Sequence, residues 1–185
     1  MDEAALLLAS EVVADRLALK NWDHDVEQWI VRVARLAEWC PELGIKAMTD
    51  ANRLSVIQQI CLGARSGKEI KDRPVMNAVK SSLSREQRAL VDRHAPERVT
   101  LSNGKQQKIT YEAAAQPFIS MRIQELFGVT APLVLAMGRV RVLVHILAPN
   151  QRPVQITNDL ASFWKTGYPA AKKELQRRYP KHEWR

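Results

Sequence analysis

Cysteine, glycine and long apolar runs are all scarce in this chain, and each shortage closes off a class of protein. Two cysteines, Cys40 and Cys61, cannot build a disulfide framework. They read as small reduced core residues of a cytosolic protein. Seven glycines and nine prolines in 185 residues are too few for a disordered low-complexity tail. The apolar run over residues 4–9 is too short to cross a bilayer. It follows Asp2 and Glu3 rather than a basic segment, so it does not read as a secretory signal either. A soluble cytoplasmic chain with no membrane partner is expected. No Gly-x-x-x-x-Gly-Lys-[Ser/Thr] loop is present to cradle a nucleotide's phosphates. His24, His94, Cys40 and Cys61 fit no zinc spacing, so no metal site is expected. His145 and His182 lack any Asp, Ser or Cys pattern that would complete a triad. Glu112 with Glu125 has no pocket signal, and no catalytic residue is assigned.

Positive charge is what the chain has in excess, and it is unevenly placed. Residues 1–95 hold 14 Lys and Arg against 14 Asp and Glu, whereas residues 96–185 hold 14 against 6. The whole formal charge of +8 therefore belongs to the second half. A basic half beside a neutral one is the electrostatic footprint of an anionic partner, nucleic acid first; the alternative is a merely solvated basic surface.

The neutral half reads as a helical bundle. Leu6, Ala9, Val13 and Leu17 recur at helical spacing, with a stop near Lys20 and Asn21. A second helix starts at Asp23 and carries Val26, Trp29, Ile30, Val33, Leu36 and Cys40 on one face, until Pro41 and Gly44 end it. Asp50 is expected to cap a third helix that Gly63 stops. Ser66 with Glu69 and Ser84 with Gln87 are capping-box patterns for two more, with Pro74 breaking the first of them. Trp22, Trp29 and Trp39 lie on or beside apolar stripes, so they read as core anchors rather than a base-stacking platform.

Strand patterns appear only in the basic half. Ser102-Asn103-Gly104 separates two short strands. A two-residue Asn-Gly loop would pair Val99 with Lys108 and split the apolar residues between faces. A three-residue loop with Gly104 left-handed puts Val99, Leu101, Ile109 and Tyr111 together, and that register is chosen. Pro117 is expected to open a helix buried through Ile119, Ile123, Leu126 and Phe127. Residues 140–147 form the best strand, with Val140, Val142, Val144 and Ile146 on one side and Arg141, Leu143 and His145 on the other. His145 reads as a core residue. A turn at Pro149-Asn150-Gln151 leads to a strand over residues 153–156. Thr157 is expected to cap a helix, and Gly167 with Pro169 to end it and start the last. The fold class is α+β: an all-α bundle over residues 1–95, then a small α+β domain over 96–185 with two β-hairpins and three helices.

Several runs in the second half carry a family resemblance. They are Ala95-Pro96-Glu97-Arg98-Val99-Thr100-Leu101-Ser102-Asn103-Gly104-Lys105, then residues 122–128, 152–157 and 159–164, then Lys173-Glu174-Leu175 and Arg178-Tyr179-Pro180-Lys181-His182. Together they resemble the C-terminal region of the HrpB family of bacterial DEAH-box ATP-dependent helicases. Coverage is close over residues 96–184 and loose before that. Arg141 stands where the family usually has Pro, and Glu183 replaces the Pro before Trp184.

The resemblance implies an accessory domain lying beyond the helicase motor. No Asp-Glu-Ala-His box occurs, so ATP and magnesium would belong to the motor, and this chain needs no cofactor and is expected to be inactive alone. The implied partners are single-stranded RNA or DNA and the helicase core domains. The alternative is an interaction module docking an acidic protein surface. Candidate phosphate contacts are Arg139, Arg141, Arg152, Lys165, Lys172, Lys173, Arg177, Arg178 and Lys181, with Tyr168, Trp164 or Trp184 to stack a base. Trp164 is favoured as core. Lys165, Lys172, Lys173 and Arg177 are expected to share one exposed face.

Overall fold

The computed structural model describes residues 2–185, which divide into two compact units, one extending to Arg93 and the other spanning His94–Arg185. In the first unit, α1 (Glu3–Val13) is capped by Asp2 and ends in Ala14, followed by left-handed Asp15. It stops well short of the expected Lys20. Its buried face is also offset from the expected one: Ala5, Leu8 and Ala9 point inward, while Leu6 and Val13 are exposed. Ala5 and Ala9 are small enough to let the helix sit close against α3 (Asp50–Cys61).

The second helix follows its sequence closely. The Asp23 carboxylate accepts from the Val26 N–H at 3.1 Å to start α2 (His24–Trp39). Val26, Trp29, Ile30, Val33, Leu36 and Cys40 are all buried. Burial of each such side chain stabilises by about 1.5–3 kcal/mol. Pro41–Leu43 forms a 3-10 turn closed by left-handed Gly44. At α3 the cap is Thr49 rather than Asp50: its hydroxyl takes the Asn52 N–H, and the Asn52 side chain returns a bond to the Thr49 N–H. Asp50 is the first helical residue, where its charge suits the helix dipole. A single turn α4 (Gly67–Ile70) begins at Ser66, and α5 (Met76–Lys80) restarts after Pro74. Ser84 and Gln87 form the expected reciprocal cap of α6 (Arg85–His94).

The second unit opens with β1 (Arg98–Thr100) and β2 (Gln106–Lys108). Val99 pairs with Gln107, and Gly104 has φ +82°, so the three-residue loop is the one formed. Leu101, Ile109 and Tyr111 are buried, with Val99 half-buried.

The segment after Pro117 is not a helix. It forms β3 (Phe118–Arg122) and then a 3-10 turn (Ile123–Leu126) that Gly128 closes. Phe-Ile-Ser-Met-Arg alternates with period two, and pairing in parallel with β6 (Leu143–Leu147) outweighs the helical start that Pro117 signals. The single strand expected over 140–147 is broken at Val142. Residues Val140–Arg141 form β5 and pair with β4 (Val134–Leu135) in a small third hairpin, while β6 turns away to join β3.

Strand β7 (Pro153–Thr157) pairs antiparallel with β6 and completes a sheet of order β3-β6-β7. Thr157 ends that strand instead of capping a helix, and the cap is Asp159, which accepts from the Ser162 N–H. The two expected final helices are one helical run: α7 (Leu160–Ser162), a π turn (Phe163–Gly167) and α8 (Tyr168–Arg178). Pro169 has no N–H for an ordinary helical bond. The wider turn before it, where the Tyr168 N–H reaches the Phe163 carbonyl, absorbs the defect without a break. Gly167 sits so close that an added Cβ would meet Gln155 Oε1 at 2.7 Å and the Phe163 ring at 2.9 Å.

Candidate nucleic-acid interface

The expected phosphate contacts lie on three elements. Arg139 and Arg141 are exposed on the β4–β5 hairpin. Arg152 is exposed in the β6–β7 turn, its N–H held by the Asn150 side chain at 3.1 Å. Arg141 precedes β6 and Arg152 follows it, so they belong to opposite ends of that strand. Lys165, Lys173, Arg177, Arg178 and Lys181 are exposed on or just beyond the terminal helical run. Lys173 and Arg177 are one helical turn apart, with Leu175 buried between them on the inner side. Glu174 is the one carboxylate on α8. Lys172 departs from the expected open face. It is half-buried, its ammonium 5.9 Å from the centre of the Tyr168 ring.

The expected stacking residues are placed differently from the cations. Tyr168 is only 7 % exposed, and its hydroxyl donates to the Arg185 carbonyl at 2.7 Å. Burial pushes its phenol pKa up. An enclosed ring cannot receive a base, which corrects that expectation. Trp164 is half-buried rather than fully enclosed, and donates to the Val129 carbonyl at 2.7 Å. It meets the rings of Phe127, Phe163 and Tyr168 with centroids 5.0–5.7 Å apart. Trp184 is half-buried, with its indole N–H on the Tyr179 carbonyl at 3.0 Å. The aromatic cluster thus welds the helical run to the residues before and after it.

His145 is not a core residue. It is half-buried and stacks on Phe118. Phe118 and Arg122, read as helical from the sequence, belong to the same sheet, and their period-two alternation was the available signal. Cys40 and Cys61 are buried, and burial pushes the Cys61 thiol pKa up, partly offset by Arg73. Among the described residues, no group of three His, Cys, Asp or Glu is arranged to hold a metal ion. No helix among them is long and apolar enough to cross a membrane.

The model of the ATP-dependent helicase C-terminal family, HrpB_C, matches residues 56–185. The chain belongs to that family. The ATP-dependent RNA helicase HrpB of Escherichia coli (strain K12) is 33% identical over 172 residues, a match covering 91% of this chain and 21% of that protein. The chain therefore spans about a fifth of the length of that relative. Two crystal structures of E. coli HrpB, described as a DExH-box NTPase and as a DEAH/RHA helicase, superpose with TM-scores of 0.83 and 0.76. Their identities are 31% and 30%, and the matches cover 96% and 99% of this chain but only 22% and 24% of theirs. The HrpB C-terminal fold thus extends over both units.

Proposed function

We propose that this HrpB-type C-terminal region is a non-motor accessory part of a cytoplasmic, ATP-dependent RNA-type helicase, and that it contributes to binding single-stranded nucleic acid. One observation carries the reading: the entire charge excess lies in residues 96–185, and Lys173, Arg177, Arg178 and Lys181 among its cations are exposed along α8 and just beyond it. Surface cations in a row are what phosphate neutralisation needs, because released counterions drive the association. The relative named as an RNA helicase supports RNA as the strand, with ATP hydrolysis left to the motor.

A salt titration of fluorescent single-stranded RNA and DNA against the purified chain tests this. Log affinity should fall linearly with log salt, and the chain alone should turn over no ATP. Binding that is absent at low salt overturns the reading. A second reading, bracing of the motor through protein contact, draws support from the first unit, where Leu7 and Val13 on α1 are 64 % and 58 % exposed. Tight binding to the motor domains with none to any single strand would favour it.

A further inference from the structure

The sheet β3-β6-β7 has one closed and one open face. Ile119 and Met121 of β3, with Val144 and Ile146 of β6, are at most 3 % exposed and point into the core. Alternation puts Phe118, Ser120 and Arg122 on the opposite side, beside Leu143, His145 and Leu147. These are half-buried, and Arg122 is exposed. The pairing of His145 with Ile156 adds Ile156 to the same face, at 56 % exposure.

On this open face the Phe118 and His145 rings stack in parallel, with centroids 4.1 Å and planes 1° apart. Arg122 ends β3 opposite Leu147, and Arg152 enters β7 beside the end of β6, so both guanidinium groups belong to the same end of the sheet. That end opens into a crevice of about 200 Å³ lined by Arg122, Gln124, Glu125, Pro149 and His182. The Glu125 carboxylate there is occupied by the Arg122 backbone N–H at 3.2 Å.

We infer that this open sheet face binds single-stranded RNA, with a base continuing the Phe118–His145 stack on an outer ring face and Arg122 and Arg152 on the flanking phosphates. The inference rests on the nucleic-acid reading above and gives it a second surface, separate from α8. Sheets hold unstacked RNA bases by presenting flat rings on an open face, and every base offers a π-face to them. An apolar face made for a protein partner would not need cations at its edge, in a unit whose Lys and Arg outnumber its Asp and Glu 14 to 6 over residues 96–185.

Titrating the full chain into a single-stranded oligouridylate RNA carrying one 2-aminopurine, at low salt, tests the platform, because its neighbours stack weakly and stacking on a protein ring quenches the 2-aminopurine fluorescence. Phe118→Leu combined with His145→Leu removes both rings at similar apolar volume. It is expected to lose the quench and about ten-fold or more in affinity. Ile156→Glu changes a side chain that is 56 % exposed, and it is expected to weaken binding by a similar factor; it decides alone if the double variant unfolds. Wild-type affinity in either variant, with circular dichroism unchanged, overturns the platform and leaves the role of α8 standing. If the wild-type chain binds no single strand at all, both readings fall together.

Discussion

The two units use their cations in opposite ways. In the first, positive side chains are paired with neighbouring carboxylates: Arg16 with Glu11, Arg53 with Glu27 and Arg35 with Glu38, each at 2.7 Å. Its tryptophans are roofed by charge, Trp22 by Arg53, Trp29 by Arg32 and Lys80, and Trp39 by Arg35, at 4.7–5.2 Å. Arg32 is itself buried, and Asp92 takes its guanidinium at 3.0 Å. In the second, Lys165, Lys173, Arg177 and Lys181 stand exposed, and the aromatic cluster beneath them is closed by backbone carbonyls. Equal numbers of basic residues thus make a braced bundle in one unit and an exposed basic surface in the other. What separates them is the supply of carboxylates.

The comparison breaks most visibly under charge reversal. Lys172→Glu with Lys173→Glu and Arg177→Glu should reduce single-strand affinity by about a hundred-fold at low salt and lower the salt slope by roughly two units. The matched reversal of exposed Arg65, Lys68 and Lys71 in the first unit should leave both almost unchanged. Overlaid titrations of the first triple variant and the wild type, with circular dichroism unchanged, would show the α8 surface to be merely solvated. Next in size is Gly167→Ala. Its Cβ would press on Gln155 and the Phe163 ring, and chemical denaturation should report a loss of about 1–3 kcal/mol. Gly104→Ala meets no neighbour but keeps a left-handed φ, so about 1 kcal/mol is expected.

The smallest effect concerns acid stability of the first unit. Hydrogen bonds from Arg53 chiefly, and from Trp22 next, hold the Glu27 carboxyl below its ordinary pKa against the opposing cost of burial. A depressed folded-state pKa means the stabilisation is present above the unfolded value, about pH 4.3, and drains away as pH falls below it. Glu27→Gln should therefore flatten part of the acid limb of a pH–stability curve while lowering stability at pH 7. An unchanged acid limb would remove Glu27 from the account.

Local signals were readable where the chain closes its hydrogen bonds within a few residues. The caps at Asp23 and Ser84, and the left-handed turn at Gly104, each need only three or four neighbours to form. The cap at Thr49 was missed by one position because Thr49 and Asp50 are both competent caps, and the partner Asn52 decides between them. On α1 the apolar residues run all round, so periodicity alone could not choose Ala5 and Ala9 over Leu6 and Val13.

The candidate cations were legible as residues but not as a surface. That Arg141 and Arg152 lie at opposite ends of β6, or that Lys172 lies along Tyr168, depends on which strands pair and which helix turn widens. The stacked pair of Phe118 and His145 was invisible because it depends on parallel pairing between residues 25 positions apart in the chain, as Phe118 with Leu143. Composition and local pattern therefore determined the class of the fold, the neutral and basic halves, most helix boundaries of the first unit and the first hairpin, since each rests on charge or on short-range backbone bonding. The parallel pairing of β3 with β6, the π turn before Pro169 and the enclosure of Tyr168 were decided by tertiary packing, where distant apolar faces outweigh the weaker local preferences of the segments that carry them.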